Sequence, residues 1–359
     1  MIVKNETRVI KRCLDSVRPF IHHWVIVDTG STDGTQELVK ELLAGVPGEL
    51  HERPWKNFGY NRTEALELAR GKADYILIMD ADEVFEVPPG FRMPTLDDEQ
   101  YLILHRHRSS GETTWELGTL VRASLPWRYE GVLHEHIACD VPHKRTSLPG
   151  PVVWGYFDSA RNVDPKKKYA NDARILEEAL RDEPGNARYV FYLGQSYRDS
   201  DQVEKAIEAY ARRATMGGWE EEVYYSLLQV GVLRARAKRD SGSIVSALLN
   251  AYQFRPTRAE ALVELAQHYR GTSEWALAEL FARAAVDIPK PKDILFVDTS
   301  AYDWRVLDEL AIATYYRNKF EESAELNRRL LSEGKLPERH RERIQQNLAF
   351  SVQKLQEKA

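Results

Sequence analysis

The run Tyr75-Ile-Leu-Ile-Met79 stops at Asp80-Ala81-Asp82-Glu83, and no other stretch restricts the fold so tightly. An unbroken apolar run of this length suits a strand buried on both faces of a parallel sheet. Three carboxylates in the next four residues repel one another unless a cation lies among them. Hard divalent ions such as Mg²⁺ or Mn²⁺ choose oxygen ligands of this kind and share them with phosphates. A solvated acidic turn explains an isolated Asp-x-Asp equally well, so the residues upstream decide its meaning.

Upstream, strand and helix patterns alternate. Met1-Ile-Val3 reads as a strand, and residues 6–17 place Val9, Ile10, Cys13, Leu14 and Val17 at helical spacing. Trp24–Val27 is a second buried strand, followed by Asp28-Thr-Gly-Ser-Thr-Asp-Gly-Thr35. Gly30 and Gly34 allow a sharp turn there, and Ser31, Thr32 or Asp33 can cap a helix that begins near Gln36. Gly48–Glu52 predicts a third strand, and Asn57–Ala69 a helix closed by Gly71. The alternation predicts an open, mostly parallel, doubly wound sheet whose ligands gather beyond the carboxyl ends of the strands.

Polar clusters fall at three such ends: Lys4-Asn5-Glu6, Asp28 to Asp33, and Asp80 to Glu83. The chain has no Gly-x-Gly-x-x-Gly and no Gly-Lys-Ser/Thr, which removes the usual dinucleotide and P-loop fingerprints. A carboxylate after the second strand suits a nucleoside, and the later acidic cluster suits a metal that holds a diphosphate. Together they describe a nucleoside-diphosphate donor.

In order and spacing, Met-Ile-Val-Lys-Asn-Glu6, Val-Asp-Thr-Gly-Ser-Thr-Asp-Gly-Thr35, Asn61-Arg62 and Met-Asp-Ala-Asp-Glu83 resemble glycosyltransferase family 2. The subgroup most resembled contains lipopolysaccharide-core glucosyltransferases and bacteriocin S-glycosyltransferases. The resemblance implies a GT-A fold, an α/β domain with a Rossmann-like mixed sheet. It also implies inverting, metal-dependent transfer from a nucleotide sugar, most simply UDP-linked, with Mn²⁺ or Mg²⁺ as cofactor. Asp28 then resembles the aspartate that contacts the nucleobase, Arg62 the arginine beside the nucleotide, and Asp82 the metal-binding member of the Asp-x-Asp. Lys4, Asn5, Glu6, Ser31, Asp80 and Ala81 complete the expected donor site. Family members usually have a longer first strand before Met-Ile-Val, so the first strand here is expected to be short.

Residues 84–140 read differently. Pro88-Pro89-Gly90 breaks the chain, and Tyr101–His107 and Trp115–Val121 predict antiparallel strands on the acceptor side. In Gly131-Val-Leu-His-Glu-His136, a His-Glu pair can complete a metal shell or supply a base. A similar pair in the resembled subgroup makes His134 the expected ligand and Glu135 the expected base. The bland alternative pairs Glu135 with Arg122 or Arg128. Arg106 and Arg108 could meet a diphosphate or an acidic acceptor, or simply form a solvated strand face.

Pro149-Gly-Pro151 marks the expected domain boundary, giving a catalytic domain over 1–150 and a helical domain over 151–359. Beyond it, helices are predicted over 167–182, 187–198 with 203–214, 220–236 with 243–254, 258–270 with 273–287, 303–317 with 320–332, and 338 to Lys358. The spacing approximates the about 34-residue period of tetratricopeptide repeats. Tyr192, Tyr197, Tyr210, Phe281 and Tyr315 are expected to pack between helices, and Lys290–Thr299 interrupts the array. A solenoid of this type binds peptides or a second subunit, so a homodimer through the repeats is among the expectations.

A net charge of −5 argues against a general polyanion surface, and two cysteines, Cys13 and Cys139, exclude a disulfide framework and suit a reducing compartment. No apolar run reaches membrane-spanning length and no leader is legible, so a cytoplasmic location is expected. The acceptor is expected to be a saccharide or a peptide. The rival readings are a non-catalytic repeat scaffold with a vestigial nucleotide-binding domain, and a glycosyltransferase acting on a modified nucleic-acid base.

Overall fold

The computed structural model describes residues 1–108, 114–333 and 335–357. Two compact units divide the chain, Met1–Asp182 and Glu183–Ala359.

In the first unit β1 (Ile2–Val3), β2 (Trp24–Asp28) and β3 (Gly48–Glu52) form a parallel sheet in the order β1-β2-β3. Trp24 to Asp28 register against Gly48 to Glu52, which brings the end of β2 level with the end of β3. The helix α1 (Ile10–Val17) buries Ile10, Cys13, Leu14 and Val17, one stripe at helical spacing. After β2 the helix α2 (Thr35–Leu42) starts from Gly34, whose φ of 90° needs a residue without a side chain. No side chain caps α2 at that position; Asp33 instead accepts the Thr35 amide at 3.1 Å. The helix α3 (Phe58–Ala69) is capped by Asn57, which accepts the Tyr60 amide at 2.8 Å.

A second sheet follows, containing β4 (Tyr75–Leu77), β5 (Glu83–Glu86), β6 (Gln100–His107), β7 (Thr114–Arg122) and β10 (Arg145–Gly155), in the order β4-β7-β6-β10-β5. Two short strands, β8 (Arg128–Glu130) and β9 (His136–Ala138), pair with each other. The expectation of one open, mostly parallel sheet therefore needs correction. The strand before the acidic cluster pairs antiparallel with β7, because the long strands β6 and β7 supply the pairing edge. The result is a mixed α/β domain. The expected boundary at Pro149-Gly-Pro151 is also displaced. Those residues lie inside β10, at an irregularity between Ser147 and Val152 where Gly150 has φ 111°. Proline and glycine at a bulge keep the strand going on either side of it. Residues 151–182, including α4 (Pro165–Asp182), belong to the first unit.

The second unit is helical throughout: α5 (Ala187–Asp199), α6 (Val203–Ala214), α7 (Glu220–Arg236), α8 (Ser241–Phe254), α9 (Glu260–Gly271), α10 (Trp275–Val286), a short π-helical segment (Ala301–Arg305), α11 (Val306–Tyr316), α12 (Phe320–Ser332) and α13 (Glu338–Gln356). Four turns repeat one backbone device. Asp201, Lys238, Ser273 and Asn318 each adopt positive φ, between 52° and 67°. In the same turns Gln202, Arg239, Glu274 and Lys319 donate back to Tyr197, Arg234, Tyr269 and Thr314, at 2.8 to 3.0 Å. That is the Schellman ending, here joining the two helices of each pair. Helices approach closely where a side chain is missing: a Cβ on Gly194 would lie 2.9 Å from the Tyr210 ring, and one on Gly231 2.5 Å from Leu248. Tyr197 and Tyr210 are buried as expected, and Phe281 stacks on Tyr269 with ring centroids 5.6 Å apart. Lys358 lies outside the described residues.

Candidate donor site

The site is built from the ends of β1, β2 and β4 together with residues far along the chain. Asp28 terminates β2 and is 0% exposed. Its Oδ1 accepts the amides of Gly30 at 2.8 Å and Ser31 at 2.7 Å, an Asx-type turn that closes the loop on the strand end. Its Oδ2 is buried and has no hydrogen-bond partner. Asn5 and Ser31 tie the first two loops together: the Asn5 amide donates to Ser31 Oγ at 2.9 Å, and the Thr32 amide donates to Asn5 Oδ1 at 2.8 Å. Asn5 has φ 60°, a left-handed conformation that asparagine tolerates better than most residues. Lys4 is exposed and its Nζ reaches over Gly30.

Arg62, on α3, bridges two carboxylates. Its Nε donates to Glu135 Oε1 at 2.7 Å and its Nη2 lies 2.7 Å from Asp80 Oδ1. The guanidinium also sits 5.5 Å from the centre of the Tyr129 ring. Burial works against its charge, but the two carboxylates raise its pKa further above the ordinary value. Glu135 therefore does not take Arg122 or Arg128. Arg128 pairs with Asp140 and Glu130, and Arg122 donates to the Asp97 carbonyl.

Asp82 and Glu6 share a second cluster. The Ser159 amide donates to Asp82 Oδ2 at 3.3 Å and the Ala160 amide donates to Glu6 Oε2 at 3.2 Å. Burial pushes the Glu6 carboxyl up to about 7, against the Ala160 hydrogen bond, and the charges of Asp82, Asp33 and Asp80 add to the rise. Asp82 is raised by burial and then by Asp80. Glu83 is raised by burial too, although His105 at 3.6 Å opposes it.

The two remaining residues of the expected set stand apart. The Ala81 side chain belongs to the core with Val3, Ile10 and Leu14, so it can reach a ligand only through its backbone. His134 is exposed and adopts φ 52°. Among the described residues, no group of three or more His, Cys, Asp or Glu side chains is arranged to hold a metal ion. The expected pair of Asp82 and His134 is thus not gathered into such a group. No sequence signal marks Ser159, Ala160 or the Glu83–His105 pair, because their closeness depends on β10 pairing with both β5 and β6.

Comparison with known proteins agrees with this architecture. Residues 1–89 match the description Glycosyl transferase family 2. A TPR repeat-containing protein of Synechococcus elongatus is 26% identical over 303 residues, covering 80% of this chain and 74% of the relative. The SPbeta prophage-derived glycosyltransferase SunS of Bacillus subtilis is 26% identical over 225 residues, covering 58% of this chain and 50% of the relative. The chain thus spans half the length of SunS. The solved structure of the MamA protein is 17% identical, covering 46% of this chain and 82% of that one with a TM-score of 0.38. The stretch of the mixed α/β first unit that carries the candidate site, residues 1–89, is similar to glycosyltransferase family 2. The helical unit that follows consists of tetratricopeptide-like repeats. No helix among the described residues is long and apolar enough to cross a membrane.

Proposed function

We propose that this chain transfers a sugar from a UDP-sugar to a saccharide or peptide acceptor, with inversion, in the presence of Mg²⁺ or Mn²⁺. The carrying observation is the Asp28 carboxylate: one oxygen accepts two loop amides and the other, buried, accepts nothing. Buried carboxylate oxygens without partners are costly, and an imide N–H of uracil is the donor that this one lacks. Lys4, Asn5, Glu6, Ser31 and Ala81 belong to the loops around it.

On α3, Arg62 holds Asp80 and Glu135 in fixed orientation. In this reading Asp80 meets the ribose or the diphosphate, and Glu135 takes the proton of the acceptor hydroxyl or thiol as that atom attacks the anomeric carbon. The bond from anomeric carbon to diphosphate oxygen breaks, and its electron pair leaves with the diphosphate. Glu6 and Asp82, both pushed up chiefly by burial, would be relieved by a divalent cation. The diphosphate must help complete its shell, because no group of side chains is gathered for it among the described residues. Such an ion would be held by Asp82, with His134 as the second protein ligand and oxygens of the diphosphate and water for the rest. When bound, it neutralises charge on the departing diphosphate. The repeats serve the acceptor or a second copy, since every donor motif precedes residue 140.

A panel of UDP-sugars in thermal-shift assays, with and without Mn²⁺, tests the reading. It predicts stabilisation by UDP and its sugars that Asp28→Ala removes. No response to any nucleotide in the intact chain contradicts it and favours a repeat scaffold with a vestigial nucleotide-binding domain.

A further inference from the structure

The stretch between α10 and the π-helical segment is a strap laid across the other helices. At its centre, Asp293 accepts from Arg255 through both oxygens at 2.7 Å and from Arg258 Nη1 at 3.1 Å. The amides of Ile294 and Leu295 donate to Glu221 Oε2, at 2.9 and 2.7 Å. Arg258 Nη2 also reaches the Phe296 carbonyl at 3.3 Å. The Phe296 ring lies 4.9 Å from Tyr225, on α7, and is stacked 6.3 Å from Phe191, on α5. The strap thus spans α5, α7 and the start of α9 with two kinds of anchor: a carboxylate on paired arginines, and a phenyl ring on an aromatic cluster.

The fit of the two anchors is unequal. Arg258 is fully buried and keeps Glu260 as a second carboxylate partner, at 2.7 Å, whatever the strap does. Phe296, by contrast, is 49% exposed and held at φ 45°, a conformation that a phenyl-bearing residue adopts at a cost. Ile294 beside it is 83% exposed. The strap has no helix or strand of its own and carries Pro289 and Pro291. It behaves as a peptide segment, bent at Leu295-Phe296, that satisfies a preformed surface imperfectly.

We propose that the face formed by Phe191, Tyr225, Arg255 and Glu221 is a docking site for a peptide segment bearing an acidic residue three positions before an aromatic one, and that Asp293 and Phe296 occupy it in cis. The chemistry follows from the seat itself. Arg255 asks for a carboxylate, the rings ask for an aromatic side chain, and Glu221 takes the backbone amides between them. A partner with this pattern competes with the strap, so its apparent affinity is reduced by the fraction of time the strap is seated.

The full chain, wild type and Asp293→Ala/Phe296→Ala, is titrated by fluorescence anisotropy with a labelled peptide of residues 290–299, Lys-Pro-Lys-Asp-Ile-Leu-Phe-Val-Asp-Thr. The proposal expects the double variant to bind at least tenfold more tightly than wild type, and a peptide with alanine at both anchor positions not to bind. Phe296→Ala alone keeps the strap's ionic anchors and is the companion variant; it too must gain binding. Equal or absent binding by wild type and a Phe296→Ala protein with an unchanged cooperative melt overturns the proposal. Concentration-dependent dimerisation of the double variant without peptide, read by size exclusion, assigns the face to a second copy and overturns it as well.

Discussion

Arg62 Nε donates to Glu135 Oε1 at 2.7 Å, across 73 residues of sequence, while the same guanidinium holds Asp80. One cation thereby sets the distance between an Asp-x-Asp carboxylate and the proposed base. Arg62→Ala strands the mostly buried Glu135 carboxylate, 11% exposed, and frees the half-exposed Asp80. A loss of about 1–3 kcal/mol in urea unfolding is expected, the cost of leaving one mostly buried charged group without its partner. Arg62→Lys recovers little of it, because an ammonium cannot present two separated N–H directions as the guanidinium fork does. A loss below about 0.5 kcal/mol for Arg62→Ala contradicts the bridging role, being no more than an ordinary surface change.

Glu6 supplies a pH test. Its carboxyl is raised from 4.5 to about 7, so the folded chain binds more protons there than the unfolded chain. Its neutral form carries no penalty below about pH 4.5, and the ionised form costs stability progressively as the pH rises through 7. Glu6→Gln is therefore expected to raise the melting temperature at pH 8 more than at pH 5. An equal effect at both values removes the buried charge as the cause.

Gly59 lets α3 approach the loop that carries Glu135. A Cβ there would lie 2.2 Å from the Gly131 carbonyl oxygen, and backbone cannot yield as a flexible side chain can. Gly59→Ala should cost about 1–3 kcal/mol of stability as an overpacking change. UDP-sugar turnover should fall with it, since the displaced strand carries the His134–Glu135 loop. Full turnover in a folded Gly59→Ala protein separates that loop from catalysis.

In the repeats, Arg213 and Glu222 form an ion pair with side chains 1% and 7% exposed, joined at 2.9 Å. Glu222→Ala should cost about 3–5 kcal/mol by stranding a buried guanidinium. Arg213→Met/Glu222→Leu should cost much less, because both charges leave together. Urea titrations of the second-unit transition, followed by far-ultraviolet circular dichroism, compare the two directly.

These relationships divide the chain into what periodicity reveals and what it hides. The helix pairs from Ala187 to Ser332 are legible because each buries one stripe and ends in the same left-handed turn, a local device. Trp24–Asp28 and Gly48–Glu52 are legible as apolar or alternating runs between turns. The strand β10 is not, since Pro149-Gly150-Pro151 carries the composition of a linker while serving as a bulge inside a sheet. The strands β5, β8 and β9 are three or four residues long, too short for periodicity to register. Within the site, Asp28, Arg62 and Asp80 stand out as residue types at strand and helix ends. The partnering of Arg62 with Glu135, of Asp82 with Ser159 and of Glu6 with Ala160 is set by tertiary pairing across distant segments, which no local pattern encodes.

We propose that Asp28, Arg62, Asp80 and Asp82 form a metal-assisted site for a nucleoside diphosphate. Calorimetric titration of UDP into the wild-type chain and into Asp82→Asn, each with and without Mn²⁺, tests it most directly. Mn²⁺ is expected to strengthen UDP binding at least tenfold in wild type and to leave it unchanged in Asp82→Asn, with both proteins melting cooperatively. UDP binding that responds equally to Mn²⁺ in both proteins, or that is absent from the wild type, contradicts it.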